Sequence, residues 1–376
     1  MRKLLLILNL ICIILLVGCE KKETIYELTF PDYFSTATSV KIITKESEKY
    51  VNEIYEGIDI ILNDIDKVFN VQKRNDNYIT EAMKINNAAG INPVKVSDNL
   101  IMVLKRAIYF SELSTVDGRA LFDITIAPVW DRWNFIDNYY SFYNPITIDV
   151  PTDLDKYLDL VDYKSIKIDD ENKTVFLENE NMKIDFGGIA KGFAADEIRS
   201  YLLDKNIKDA VIDVGKNIIV MGLYQNKEWT VSLQTPFYNE LEHEKEEKLY
   251  YYGKINLSDL SIVTSGTYEK YVMDNNGIMY HHILDPKTGF PIDNGVVSIS
   301  VITNVSTDAD GYSTTLFSLG LEKGMEIVNK TEGLEAIYVV KDNNNFQIYI
   351  SKGLKNNFQF NEKVESLGFT YKGVVE

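Results

Sequence analysis

The chain has little of what most metal, redox and nucleic-acid sites are made from. Only two of its 376 residues are cysteine and three are histidine, too few ligands for a Cys/His zinc centre. Both cysteines, Cys12 and Cys19, fall at the N-terminus, so the body of the chain has no thiol, can form no disulfide and must rely on its core. Only 8 prolines and the absence of any biased tract exclude fibrous and collagen-like classes. Positive charge is also short. Against 56 Asp and Glu stand 39 Lys and Arg, a formal net charge of −17, and no Lys/Arg run occurs. Binding to nucleic acid through phosphates is therefore excluded. What is present is ordinary for a folded protein: 45% apolar and 25% charged residues, over a length that buries a large core.

The first residues read as a leader. Arg2 and Lys3 precede an apolar stretch from Leu4 to Val17, broken only by Asn9. That stretch is too short to cross ~30 Å of hydrocarbon comfortably and suits a signal-peptide core. It ends in Leu16-Val17-Gly18-Cys19, which looks like a bacterial lipobox. The expectation is a lipoprotein signal peptide over residues 1–18, an acylated Cys19 with a polar tether to residue 30, and a folded domain over 31–376. Cys19 would then hold the protein to the lipid bilayer, on the extracytoplasmic face of the cell membrane. An uncleaved N-terminal anchor is the other reading.

Periodicity divides the rest. Alternation over Thr38–Thr44 predicts a strand, and Val51, Ile54, Ile58, Ile61, Leu62, Ile65 and Val68 lie at helical spacing over 49–69. A second helix is expected over 99–114. Short strands follow at 166–168, 174–177 and 183–185, then a helix from about Ala190 to Leu203. Further strands are expected at 210–213, 218–221, 229–233 and 296–301. Two helices over 308–319 and 321–329 and a hairpin-like pair at 336–340 and 346–351 end the chain. Residues 137–153 read as a loop, and 239–248 as a charged, solvated insert. The fold class is mixed α/β (α+β): a largely antiparallel sheet with packed helices, in one body.

Four segments hold the residues that chemistry needs. In Lys183-Ile184-Asp185-Phe186-Gly187-Gly188-Ile189-Ala190-Lys191-Gly192, glycines turn the chain into a helix start with Lys191 beside it, which favours an anion such as a phosphate. A plain packing turn has the same pattern. In Ser306-Thr307-Asp308-Ala309-Asp310-Gly311-Tyr312-Ser313-Thr314, Thr307 or Asp308 can cap the helix. Asp310 and Thr314 lie one turn apart on one face, oxygen ligands that suit Mg²⁺. Capping alone explains the acidic residues equally well. Tyr280-His281-His282-Ile283-Leu284-Asp285-Pro286-Lys287-Thr288-Gly289 puts two histidines on a strand, of which only one can face a cleft, and offers a general base. The aromatics around Leu121-Phe122-Asp123, Trp130 and Trp133 wall a planar ligand or fill a core.

In this order, these segments resemble the ApbE family of FAD:protein FMN transferases, over about Tyr33 to Gly320. The motifs that carry the resemblance are Asp-x-Gly-Gly-Ile-Ala-Lys-Gly from Asp185, Thr-Ser-Gly-x-Tyr from Thr264, His-His-Ile-x-Asp-Pro-x-Thr-Gly from His281 and Ala-Asp-x-x-Ser-Thr from Ala309. The resemblance implies an ApbE-like (T-fold-like) body and Mg²⁺-dependent transfer of FMN from FAD to a threonine hydroxyl of a membrane or exported redox protein, with release of AMP. An FAD pyrophosphatase and a non-catalytic flavin-binding lipoprotein are the alternatives. Carried over by residue, Asp310, Thr314 and the carbonyl of Gly188 would hold the metal, with Ser313 a minor candidate. Asp185 and Lys191 would contact FAD, Lys191 near its phosphates. Phe34, Leu121, Phe122, Asp123 and Leu284 would line the flavin nucleotide site, and His282 would take the proton of the attacking threonine. The sequence departs from the family pattern at Lys216, Ile124 and Ala127, and matches only loosely from Phe69 to Asn86.

Overall fold

The computed structural model describes residues 22–34, 36–75, 77–140, 146–237 and 249–375. The leader, Cys19 and the insert at 239–248 lie outside the described residues. The body is organised by one nine-stranded sheet. Numbered along the chain, its strands are β1 (Thr24–Tyr33), β2 (Thr36–Thr44), β3 (Asp209–Val214), β4 (Asn217–Met221), β5 (Leu260–Gly266), β6 (Val296–Thr303), β7 (Glu335–Asp342), β8 (Asn345–Ile350) and β9 (Phe369–Val374). They lie side by side in this same order. Every neighbouring pair is antiparallel except β8 and β9.

Four long helices cover one face: α1 (Glu48–Phe69), α2 (Asp98–Leu113), α3 (Ala190–Asp204) and α4 (Ser306–Lys330). In α1 Val51, Ile54, Ile58, Leu62, Ile65 and Phe69 are buried, with Ile61 and Val68 half-buried beside them, and Ser47 caps the start by accepting the Tyr50 amide at 3.4 Å. Helices α3 and α4 pack on each other and on β3 to β7, α1 lies on α3 and β1, and α2 rests on α4. A second apolar cluster, with Trp229, Tyr252, Ile262, Ile302, Val339 and Ile348, covers the opposite face beneath a small sheet that pairs Trp229–Gln234 with Tyr251–Leu257. Buried on both faces, β6 has no exposed residue at all, which is why it reads as a continuous apolar and small-residue run. A third cluster around Val129, Trp133, Phe135, Val272 and Leu284 supports the segment that carries His282.

Three expectations change. Residues 183–185 form no strand: the Asn86 side chain bridges both backbone groups of Ile184, at 2.8 and 3.0 Å, and the Asp185 amide donates to Ile124 at 2.9 Å. An amide side chain thus replaces the neighbouring strand. Neither Thr307 nor Asp308 caps α4. The Asp196 carboxylate, on α3, accepts from the amides of Ser306 (3.0 Å) and Thr307 (2.8 Å), while Asp308 pairs with Arg106 at 2.6 Å. Finally, β1 starts at Thr24, so the sheet takes up residues counted above with the tether. The break between the two C-terminal helical stretches is where expected, at Gly320, whose φ of 83° leaves the helical region.

Candidate active site

The cavity that gathers the chemistry has a volume of about 320 Å³ and lies over one end of strands β1 to β5. Its floor comes from the β1–β2 turn, the β3–β4 turn at Gly215 and the end of β5 at Ser265. The Asp185–Lys191 turn, the first two turns of α4 and the segment carrying His282 complete it. Every site residue singled out from the sequence lines this cavity, apart from Cys19 and the minor candidate Ser313. The hydroxyl of Ser313 is buried, donating to the Asp310 carbonyl at 2.8 Å and bonded to Ser265 at 2.8 Å.

At the α4 end the Asp310 carboxylate, 3% exposed, accepts the Gly192 amide at 3.0 Å through Oδ2. Its Oδ1 faces the Lys191 ammonium at 3.6 Å. Burial raises the Asp310 pKa, and Lys191 and the Gly192 amide oppose this. One turn on, the Thr314 hydroxyl makes no hydrogen bond to the described residues. Gly188 lies against it: a Cβ there would sit 3.0 Å from the Phe122 ring and 3.5 Å from Thr314 Oγ1. Glycine at 188 thus lets the main chain come up to the Asp310–Thr314 face. A carboxylate, an unpartnered hydroxyl and a main-chain segment within reach make a hard oxygen donor set, and these residues fit a small divalent cation such as Mg²⁺. Among the described residues no three His, Cys, Asp or Glu side chains converge on one point.

Lys191 donates to the Gly187 carbonyl at 2.5 Å as well as facing Asp310. Asp185, opposite, accepts the Gly187 amide at 2.6 Å, and burial raises its pKa. Asp123 lines the cavity as expected, with its carboxylate engaged by the protein itself. Its Oδ1 accepts from the amide and hydroxyl of Thr125 (2.9 and 2.6 Å) and its Oδ2 from the Tyr163 amide at 3.1 Å. Its carboxylate braces the Leu121–Phe122 wall rather than reaching into the space.

The strand ends at His281 and His282 lies in the bend that follows, so the expected pair of strand histidines is not formed, and the two rings still take different surroundings. His281 turns inward, bonded through Nε2 to the Ile292 carbonyl at 3.1 Å, and burial pushes its pKa down to about 4. His282 faces the cavity. Its Nδ1 lies 2.9 Å from the Lys270 carbonyl; a carbonyl only accepts, so Nδ1 carries the proton and Nε2 holds the lone pair. Burial first, then the Lys270 charge, push this imidazole down to about 3.

Phe34, at φ 54° in the β1–β2 turn, is fixed through its amide, which donates to buried Asp66 at 3.3 Å. Arg74 and Asn70 meet the same Asp66 oxygen, at 2.8 and 3.0 Å. The loosely matching stretch after Phe69 supplies wall residues Asn70, Val71 and Gln72, which sequence reasoning did not place. Glu269 and Lys270 were also missed as lining residues. Their signal was position, directly after the Thr-Ser-Gly-Thr-Tyr stretch. Lys216 does not line the cavity: it sits at φ 69° and pairs with Glu269 at 3.0 Å and Gln234 at 2.8 Å.

Comparison with known proteins agrees with this geometry. The ApbE family model matches residues 34–338. An FAD:protein FMN transferase of Klebsiella pneumoniae (strain 342) is 33% identical, over 73% of this chain and 82% of the relative. One from Treponema pallidum (strain Nichols) is 30% identical, over 89% and 90%. Among solved structures, the flavin transferase ApbE from Vibrio cholerae superposes with a TM-score of 0.72 at 25% identity, covering 89% of this chain and 100% of the other. The ApbE protein from Thermotoga maritima gives a TM-score of 0.67 at 27% identity, covering 84% and 94%. With a family model spanning most of its length and relatives matched nearly end to end, this chain belongs to the ApbE family.

Proposed function

We propose that this protein transfers the FMN half of FAD to a threonine hydroxyl of an acceptor protein, with AMP as the leaving group. One observation carries the reading: a single cavity brings a neutral imidazole with an open Nε2 beside lysine cations and an oxygen donor set, which is the inventory that breaking a diphosphate with an alcohol requires. The family's curated relatives bear this activity in their names.

The threonine oxygen attacks the phosphorus on the FMN side. A new P–O bond forms as the bond to the bridging oxygen breaks, and that oxygen leaves with AMP. His282 Nε2 accepts the threonine proton, held in place by its Nδ1–H bond to the Lys270 carbonyl; a positioned base contributes ~10²–10⁴-fold. Lys191, which lines the cavity, meets the diphosphate charge. Asp310, Thr314 and the Gly188 carbonyl would hold Mg²⁺, which supplies charge neutralisation at the phosphoryl oxygens. Phe34 and the Leu121–Phe122 wall pack on the flavin nucleotide, with Leu284 closing the same side. The acceptor is a membrane or exported redox protein, reached from a lipid anchor at Cys19 on the extracytoplasmic face; the leader pattern at residues 2–19 supports that placement.

The test incubates the purified protein with FAD, Mg²⁺ and a threonine-bearing acceptor peptide, and reads AMP by chromatography and the peptide by mass spectrometry. An FMN adduct with equimolar AMP is expected. AMP without an adduct would make the protein an FAD pyrophosphatase, and bound FAD with neither product would make it a flavin-binding protein.

A further inference from the structure

Three of the ionic side chains that line the cavity are ion-paired, the Asp123 carboxylate is held by hydrogen bonds, and the Asp185 carboxylate accepts only the Gly187 amide among the described residues. Asp310 faces Lys191 at 3.6 Å and Glu269 is paired with Lys216 at 3.0 Å, so neither carboxylate is left to neutralise another cation. Lys270 is different. It lines the cavity, yet its ammonium makes no hydrogen bond and no ion pair with the described residues. Its main chain is fixed from two sides, because the Lys270 carbonyl accepts both the His282 amide at 3.1 Å and the His282 ring at 2.9 Å. Lys270 is thereby tied to the segment that presents the general base. Burial and the Lys191 charge both disfavour its protonated form, and only Asp185 and Glu269 act the other way. A half-buried ammonium with no ion pair, repelled by the Lys191 charge and only partly offset by Asp185 and Glu269, gains from an anion that enters the cavity.

We propose that Lys270 is a diphosphate-binding residue of this site, its ammonium meeting non-bridging oxygens of the dinucleotide substrate and acting with Lys191. The inference rests on the transferase reading above and adds to it a second cation, placed by the same residue that orients His282. The glycine-rich turn with Lys191 then supplies one contact to the diphosphate and the His282 side of the cavity supplies the other. A carboxylate of the acceptor protein is the competing partner for the same charge.

The experiment titrates the full chain with FAD, ADP and riboflavin by calorimetry, for the native protein and for Lys270→Met and Lys270→Gln. A charged hydrogen bond to phosphate is worth enough that FAD and ADP should each weaken ~10–100-fold, while riboflavin, which has no phosphate, stays within about twofold. Lys270→Arg should recover most of the loss, and the difference between native and variant should shrink as salt is raised. Equal weakening of all three ligands would mean that Lys270 only shapes the fold, and overturns the proposal. Unchanged FAD and ADP binding with a raised KM for the acceptor peptide would assign the charge to the acceptor and overturn it as well. A native protein that binds no FAD would instead refute the transferase reading itself, and the Lys270 proposal with it.

Discussion

Lowering the pH tests the role given to His282 most severely. An imidazole in water has a pKa of ~6.5, whereas burial, with the Lys270, His281 and Lys191 charges, pushes His282 down to about 3. A gap of some 3 pH units corresponds to ~4–5 kcal/mol against protonation. The direction matters: the depressed value disfavours the charged ring, so the Nε2 lone pair survives as the pH falls past 6.5. Nitrogen-15 spectra of the three histidines, with His282 assigned by the His282→Asn variant, should show a neutral, Nδ1-protonated ring still in place at pH 5.5. In the rate, kcat/KM for FAD should not carry the ~10-fold loss that an unperturbed imidazole would impose between pH 7.5 and 5.5. Bound diphosphate cancels the lysine charges, so the acid limb in kcat should lie at higher pH than that in kcat/KM. A ring that titrates near pH 6.5 in the free protein would refute the reasoning.

Other consequences concern the frame around the site. His281 has its pKa held down to about 4 by burial, so its contribution to stability is whole above pH 6.5 and fades as the pH falls toward 4. His281→Asn should reduce the loss of unfolding free energy between pH 7 and 5 by ~2 kcal/mol, measured by urea titration at both pH values. Asp196→Ala removes the acceptor for the Ser306 and Thr307 amides and the Thr307 hydroxyl. It should cost ~2 kcal/mol in chemical denaturation, with partial recovery in Asp196→Asn. Gly192→Ala would place a Cβ 2.2 Å from the Ser306 carbonyl oxygen and 2.9 Å from Asp310 Cβ. Separating α3 from α4 should cost ~3 kcal/mol or more, and FAD affinity should fall with it in fluorescence titrations.

The parts of the site that could be read from the sequence are those in which a local pattern fixes position. Asp310 and Thr314 share a face because α4 has 3.6 residues per turn. Long amphipathic helices such as α1 were also plain, since seven positions at helical spacing leave little choice of face. What was missed depends on partners far along the chain. The cap of α4 comes from Asp196, 110 residues before Ser306, and no local signal near Thr307 announces it. Residues 183–185 have the composition of a strand, yet Asn86, 98 residues away from Ile184, takes the hydrogen bonds that a neighbouring strand would have made. Asp123 lines the cavity as its motif suggested, but the hold on its carboxylate by Tyr163, 40 residues on, has no local signal. Lys270 escaped notice because one lysine in a surface-like stretch carries no pattern until the fold brings it beside His282.

The central claim is that His282 and the Asp310–Thr314 face act together on one diphosphate. It is tested most directly by following FMN-adduct formation on a threonine peptide for the native protein, His282→Asn and Asp310→Asn, alongside FAD binding by each. Both substitutions should lower the rate of adduct formation by ~10²-fold or more. His282→Asn should leave FAD affinity within about threefold, since the base acts on the acceptor and not on the dinucleotide. Adduct formation at the native rate in either variant, with FAD bound, would contradict the claim.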